Sequence, residues 1–442
     1  MKKRLRVKKL VKDGQLSFAN GGWSMHDEAS AHYASMIDQT TLGHRFLKDE
    51  FDFKPRVGWQ IDPFGHSATN AWLMSAEVGF DALYFGRINY DDREARAAEK
   101  RLEFVWQASP SQPGSTVFTG VFSDGNYQPP PGICFDLRCD NDPVMDDARL
   151  TDFNLDSLTD TLIQGMLHVS IYFVYSMHLC MYLFALFLTQ PQPQHETRNP
   201  KRDKPLGAGI DDEAGKTMGD NVMLKMGSDF HYQSAIIWYK SLDKLIESVM
   251  KKRPDLNLFY STPEAYTIAK AAENIDWTTK LDDFFPYRDC SACNWAGYYT
   301  SRPGVKRLER VSGSTNQLVK QMAASHLATD AATDTPGIKV AQKVMLKLTA
   351  ANGVVNHHDA ITGTAKQHVT DDWMKTLSDS LAEGESFVGA TATRLSGSGA
   401  AHGLTACRYA NESICEHTQT LKVRNPGIRR FQTLLCTTHA PL

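Results

Sequence analysis

The chain has 442 residues, 42% of them hydrophobic, and 48 Lys and Arg stand against 51 Asp and Glu for a formal net charge of −3. That length provides for two or three hydrophobic cores. The near-neutral balance offers no basic footprint for nucleic acid and no reason to expect a strongly acidic ligand.

Residues 1–12, MKKRLRVKKLVK, are basic but lead into no apolar run, so they read as a solvated helix face and not as a secretory leader. LSFANGGW (16–23) and RVGWQID (56–62) read as strands ending in turns, with a helix between them over HDEASAHYASMIDQTTLGHRFLKDEF. ATNAWLMSAEVGF is a second helix and ALYFGRI the next strand. Strand, helix, strand predicts an α/β fold with a parallel sheet covered by helices. Ligands of such sheets bind at the carboxyl ends of the strands. Asp62 stands at one such end and Arg87 at the next, with Pro63 and Gly65 stopping the first strand and fixing its turn.

Residues 165–188 contain no Asp, Glu, Lys or Arg, and about 20 apolar residues can cross a bilayer. His168 and His178 make the run a poor span, and a polar, proline-rich stretch follows it. Both flanks read as one domain, so 167–212 is expected to be a foreign insertion and not a membrane anchor. Beyond it, NVMLKMGSDFHYQSA gives a strand, then Gly227 and Asp229. AIIWYKSLDKLIESVMKK has the spacing of an amphipathic helix, and LNLFYSTPEAYTIAKAA is another strand and helix. Residues 304–350 read as helical, and after about 385 a Gly/Ser/Thr-rich link leads toward a β-rich region.

Asp62 and Asp229 are two carboxylates at strand ends beside glycines, the pair of groups a glycosidase needs. An aspartate after a strand more commonly caps a helix, but Pro63 follows Asp62 and no amphipathic helix starts at once. NHHDAITGTAKQHV (356–369) packs three histidines and an aspartate together, residue types that ligate zinc, without the H-E-x-x-H spacing of a metalloprotease. Surface or core histidines are the simpler alternative. Arg87 and Tyr127 can hydrogen-bond a polar substrate or orient a carboxylate. Trp23, Trp59 and Trp295 adjoin turns, where their faces can stack on sugar rings, although most tryptophans serve the core. Among eight cysteines, Cys290 and Cys293 form a C-x-x-C readable as free thiols or half a zinc site. Cys134 and Cys139 lie five apart, and Cys407 and Cys415 bracket a glycosylation sequon at Asn411. A sequon between close cysteines leans secretory; with no leader in view, the N-terminus is expected to be incomplete.

The strings FANGGWSMHDEASAHY, GWQIDPFGHS, MGSDFHY, DDFFPYRD, GYYTSRPGVKR and NHHDAITGTAKQHV together resemble glycoside hydrolase family 38, the retaining α-mannosidases. They follow the family's order over most of 5–165, 213–395 and 403–426. The FANGGW start, the Cys134–Cys139 spacing and CRYANESIC are closest to its lysosomal acid branch. The resemblance implies a seven-stranded, barrel-like parallel α/β catalytic domain over 1–299. A helical middle domain over 300–395 and the start of a C-terminal β region over 396–442 would follow. It also implies one zinc ion held by Asp62 and His358, with Asp62 the nucleophile and Asp229 the acid/base. Arg87, Tyr127, Trp295 and Asp359 would contact the nucleophile or the sugar. Disulfides Cys134–Cys139 and Cys407–Cys415, glycosylation at Asn411, mannose-containing oligosaccharides as substrates and delivery to the lysosome or vacuole follow from the same likeness. Family members carry a further His-x-Asp pair of zinc ligands on a strand upstream of FANGGW, and neither His26-Asp27 nor another early pair matches it. Only two of four ligands are therefore expected here. An inactive fragment, at most a binder of mannose-rich glycans, is the alternative expectation.

Overall fold

The computed structural model describes residues 2–136, 139, 141–163, 170–174, 210–330, 335–395, 406, 407 and 414. The chain divides into two compact units, one of Met1–Lys306 with Asn356–Ala365, the other of Arg307–Val355 with Lys366–Leu442.

In the first unit, α1 (Lys2–Lys12) is the expected solvated basic helix, burying only Val11 and pairing Arg4 and Lys8 with Glu50 of α2 (Tyr33–Phe51). LSFANGGW is not a strand: Asn20 and Gly21 take left-handed φ of 60° and 74°, which breaks an extended run. The helix expected from residue 26 begins only at Tyr33, where the His32 ring accepts the Ala34 N–H as its cap. Residues before it are committed elsewhere, since Asp27 N–H donates to Asn356 O at 3.0 Å and His358 N–H to Met25 O at 3.1 Å.

The strands β1 (Val57–Gln60), β2 (Ala82–Phe85), β3 (Glu103–Gln107) and β4 (Thr116–Val121) follow, with α3 (Ala68–Trp72) and α4 (Tyr90–Ala98) between them. After α5 (Leu155–Ile163) come β5 (Ser170–Val174), α6 (Ile210–Lys216), β6 (Asn221–Lys225), α7 (Ala235–Lys252), β7 (Asn257–Ser261), α8 (Pro263–Ala272) and β8 (Thr279–Lys280). Described strands form a five-stranded sheet of order β1-β2-β4-β3-β8 and a three-stranded sheet of order β6-β5-β7. Every pairing is parallel except β3 with β4. The α/β class is therefore as expected. Five residues of the 167–212 stretch form the central strand of the smaller sheet, and 175–209 lie outside the described residues.

Both strands of the β1–β2 pair are buried throughout, as strands covered on two faces should be. Trp238, Leu242, Leu245 and Val249 of α7, all at 0% exposure, recur at helical spacing and pack with Val222, Leu224 and Leu258 of the smaller sheet. In the second unit α9 (Pro303–Asp330), α10 (Thr335–Val355) and α11 (Gln367–Leu395) pack Val319, Val344, Leu348, Leu381 and Val388 into one core. This is the helical region expected after the α/β domain. No helix among the described residues is long and apolar enough to cross a membrane.

One glycine sets how α2 meets the turn before it. A Cβ on Gly43 would stand 2.6 Å from Gly22 C and 2.7 Å from Trp23 N, both backbone atoms. Alanine favours a helix interior over glycine by about 1 kcal/mol, but overpacking against atoms that cannot rotate away costs about 1–3 kcal/mol. Gly43→Ala is therefore expected to lower the urea midpoint; an unchanged or higher midpoint would show that the turn yields freely.

Candidate active site

Asp62 lies two residues past the end of β1, in a turn where Gly65 takes φ 100° and a Cβ would meet Phe284 O at 2.8 Å. The turn is pinned by His66, whose backbone exchanges hydrogen bonds with Phe284 at 3.2 and 2.8 Å. Buried Glu28 closes it from behind. One carboxylate oxygen lies 2.9 Å from His66 Nδ1 and 3.4 Å from Gln60 Nε2, and the other accepts the Ser67 N–H at 2.7 Å. Residues on both sides of Asp62 thus hang on one carboxylate. Sequence reading missed Glu28 and His66, although both lie inside the strings that carried the resemblance.

Two basic side chains reach Asp62. Arg87, two residues past β2, forms an ion pair with Oδ1, while Oδ2 lies 3.1 Å from His358 Nε2. The guanidinium sits 5.5 Å from the ring centres of Phe64 and Trp295 and 5.9 Å from that of Tyr287. These faces favour the cation and hold its plane. Burial alone would raise the Asp62 pKa, but the His358 hydrogen bond and the Arg87 charge outweigh it and hold the carboxyl below its ordinary value.

His358 is fixed by Met25, 333 residues away, whose carbonyl lies 2.8 Å from Nδ1. A carbonyl only accepts, so Nδ1 carries a proton. Nε2 then faces the Asp62 carboxylate either as a second donor or as a lone pair. In the lone-pair form two electron-pair donors converge, a donor set that suits a proton or a metal cation. Next to it, His357 Nε2 lies 3.3 Å from Asp359 Oδ2, and His357, His358 and Asp359 form a group able to hold a metal ion. Asp359 Oδ1 also accepts from Thr364 at 2.7 Å.

Tyr127, after β4, donates its hydroxyl to Asp229 Oδ2 at 3.3 Å. Burial, Asp62 and Asp229 together push the phenol far above its ordinary pKa, so it remains a donor. Asp229 itself is exposed, four residues past β6. The structure therefore brings Asp62, Arg87, His358, Trp295 and Tyr127 together, with Tyr127 reaching Asp229, and places Asp359 beside His358.

Cys134 and Cys139 form the expected disulfide. Cys290 and Cys293 are also disulfide-bonded, which corrects their reading as free thiols or half a zinc site. Cys407 is disulfide-bonded, and Cys415 and Asn411 lie outside the described residues.

Asp27 borders this cluster. It is fully buried; Oδ2 accepts the Ala29 and Ser30 N–H groups, both at 2.9 Å, and Oδ1 has no partner. Burial, against those two bonds, pushes its pKa up to about 7. A folded-state pKa above the unfolded value of about 3.9 means that this group's contribution is fully present below about pH 4. It is lost as pH rises through about 7, to the order of 4 kcal/mol. Asp27→Asn should flatten the stability profile between pH 4.5 and 7.5 in urea unfolding. Parallel profiles for the two proteins would show that the carboxyl does not titrate there.

The glycosyl hydrolases family 38 N-terminal domain matches residues 1–290, and the alpha mannosidase middle domain matches 293–395. A probable alpha-mannosidase of Arabidopsis thaliana is 40% identical over 391 residues, covering 88% of this chain and 33% of that protein. Lysosomal alpha-mannosidase of Cavia porcellus is 37% identical over 436 residues, 97% of this chain and 37% of the relative. That of Homo sapiens is 37% identical over 422 residues, 94% and 36%. The chain thus spans about a third of the length of the curated relatives it matches. The crystal structure of an alpha-mannosidase from Enterococcus faecalis V583 aligns with TM-score 0.61 at 15% identity, over 89% of this chain and 36% of that one, a likeness of fold. Because the N-terminal domain match alone takes in residues 1–290, most of the chain, the protein belongs to glycosyl hydrolase family 38.

Proposed function

We propose that this chain carries the catalytic domain of a zinc-dependent retaining α-mannosidase that removes terminal α-D-mannose from N-glycan oligosaccharides in the lysosome or vacuole. The observation that carries the reading is Asp62 at a parallel-strand end, held ionised by Arg87 and His358, with Tyr127 reaching from its side of the site to Asp229. Two carboxyl groups on opposite sides of a glycosidic bond are what retention requires, about 5–5.5 Å apart.

In this reading Asp62 attacks the anomeric carbon and forms the mannosyl-enzyme. Its depressed pKa keeps it anionic, and the contacts to Arg87 and His358 aim it. Asp229 protonates the leaving oxygen and then deprotonates the attacking water. An exposed position suits a group that must meet both. Tyr127, kept protonated, donates toward both carboxylates' side of the cleft, and Trp295 offers its face to the sugar. Asp62 and His358 would hold the zinc ion, with Asp359 beside them. When bound, the ion supplies Lewis acidity toward adjacent sugar hydroxyls. Zinc elemental analysis before and after chelation should show metal lost in step with Asp62→Asn or His358→Ala, whether or not turnover is measured; equal zinc in all three proteins would remove these residues as ligands.

Asp62→Asn is expected to reduce hydrolysis of every α-mannoside to background. Asp229→Asn should cost about 10²–10⁴-fold on oligosaccharides, whose leaving groups need a proton, and far less on activated aryl mannosides. Equal losses on both substrate classes would contradict the assignment of roles. Mannoside binding without any turnover in the unsubstituted protein would favour a glycan binder over an enzyme.

A further inference from the structure

Asp229 is solvent-exposed, and neither its own burial nor a regular element fixes it. The loop that bears it is nevertheless tightly specified. Phe230 and Tyr232 both take left-handed φ, 64° and 65°, although neither is glycine. Such backbone persists only where the surroundings over-determine it. The surroundings here are Asp136, Trp238 of α7 and the Met226 carbonyl. Asp136, 7% exposed, accepts the Tyr232 N–H at 2.7 Å and the Trp238 Nε1–H at 2.9 Å on the same oxygen. The Tyr232 ring stacks on Trp238 at 4.8 Å and 17°, and its hydroxyl donates to Met226 O at 2.5 Å. His231 Nε2 lies 3.6 Å from Cys134 Sγ. The Cys134–Cys139 disulfide closes the loop in which Asp136 lies.

We infer that Asp136, two residues from the disulfide-bonded Cys134, is a positioning residue for Asp229 and the clamp on its loop. The inference rests on the acid/base role proposed for Asp229. Asp136 does not cap α7, whose cap residue is Ser234, and its bonded oxygen is committed to two donors that follow Asp229 in the chain, Tyr232 and Trp238. By holding Tyr232 N–H, it fixes the chain three residues beyond Asp229 while Tyr127 holds the carboxylate itself. Loss of the clamp leaves Asp62 untouched and lets Asp229 wander. Protonation of the leaving group should then suffer, and attack should not.

The test is a double-mutant cycle of Asp136→Ala and Asp229→Asn, read on aryl α-mannosides of graded leaving-group acidity. Asp136→Ala should slow kcat/KM by about 10–100-fold for the poorest leaving groups and by less than about twofold for the best. It should add nothing further in the Asp229→Asn background. Amide exchange at Tyr232 should rise while exchange in β1 and β2 stays low. Asp136→Asn, which keeps one acceptor oxygen, should recover much of the lost rate. If Asp136→Ala does not fold, Asp136→Leu, which likewise offers no acceptor but fills the volume, takes its place in the cycle and is read the same way. Losses that are equal across leaving groups, or additive with Asp229→Asn, overturn the inference and leave the acid/base assignment standing. An Asp229→Asn enzyme with no leaving-group dependence, or an unsubstituted protein with no turnover, overturns the assignment itself and the inference with it.

Discussion

A carboxylate held ionised in a largely dehydrated turn is the constraint on which the rest depends. Removing the charge of Asp62 from water is costly, and only compensating charge and hydrogen bonds keep it anionic. Arg87 and His358 supply that compensation from the end of β2 and from a segment 296 residues away. Each helper is itself secured. Three aromatic faces surround the guanidinium, and the Met25 carbonyl fixes the imidazole. The site is therefore a set of nested supports, and the outermost of these are backbone atoms.

That dependence explains why residues Asn356–Ala365 belong to the α/β unit although the helices on either side belong to the other. The strip bonds to Met25 and Asp27 through backbone groups, while Arg302 and Lys306 donate to the carbonyls of Gly363, Ala365 and Ile361. Arginine and lysine here serve the accounting of turn carbonyls that no helix satisfies. A histidine presented from such a strip has a defined direction, which a ligand or a general acid needs and a free loop does not provide.

Much of this was legible in the sequence because strand ends of a parallel sheet are where such folds expose chemistry. Asp62, Arg87 and the loop with Asp229 follow from that rule, and His358 from a string whose composition is metal-ligand-like. Glu28, His66 and Asp136 were not legible. Each acts through partners roughly 40 or 100 positions away, and local periodicity carries no information about such pairs. The strand expected over 16–23 failed for a local reason instead. Its apolar pattern was adequate, but Asn20-Gly21 adopts left-handed backbone, and the turn it makes leaves room for Gly43 of α2. The C-x-x-C at 290–293 was ambiguous by nature, since spacing alone does not separate thiols from a disulfide.

The two carboxylates proposed as nucleophile and acid/base follow strands of different sheets, Asp62 of the five-stranded and Asp229 of the three-stranded one. Their separation is thus a property of how the sheets are joined. Apolar contacts alone tolerate small slips, whereas polar ties are directional. Several cross this junction. Lys225, the last residue of β6, donates to Asp124 Oδ1 at 2.5 Å and to Asn126 O at 2.7 Å, next to Tyr127. Deeper in, Tyr266 of α8 donates to Glu103 of β3 at 2.5 Å, and fully buried Lys270 lies 3.2 Å from the same carboxylate. Burial raises the Glu103 pKa, and Lys270 opposes it, so the pair gives little net stability for its desolvation. Lys270 also donates to the carbonyls of Met218 and Asn221 at the start of β6, so one ammonium ties that strand end to Glu103 of the larger sheet.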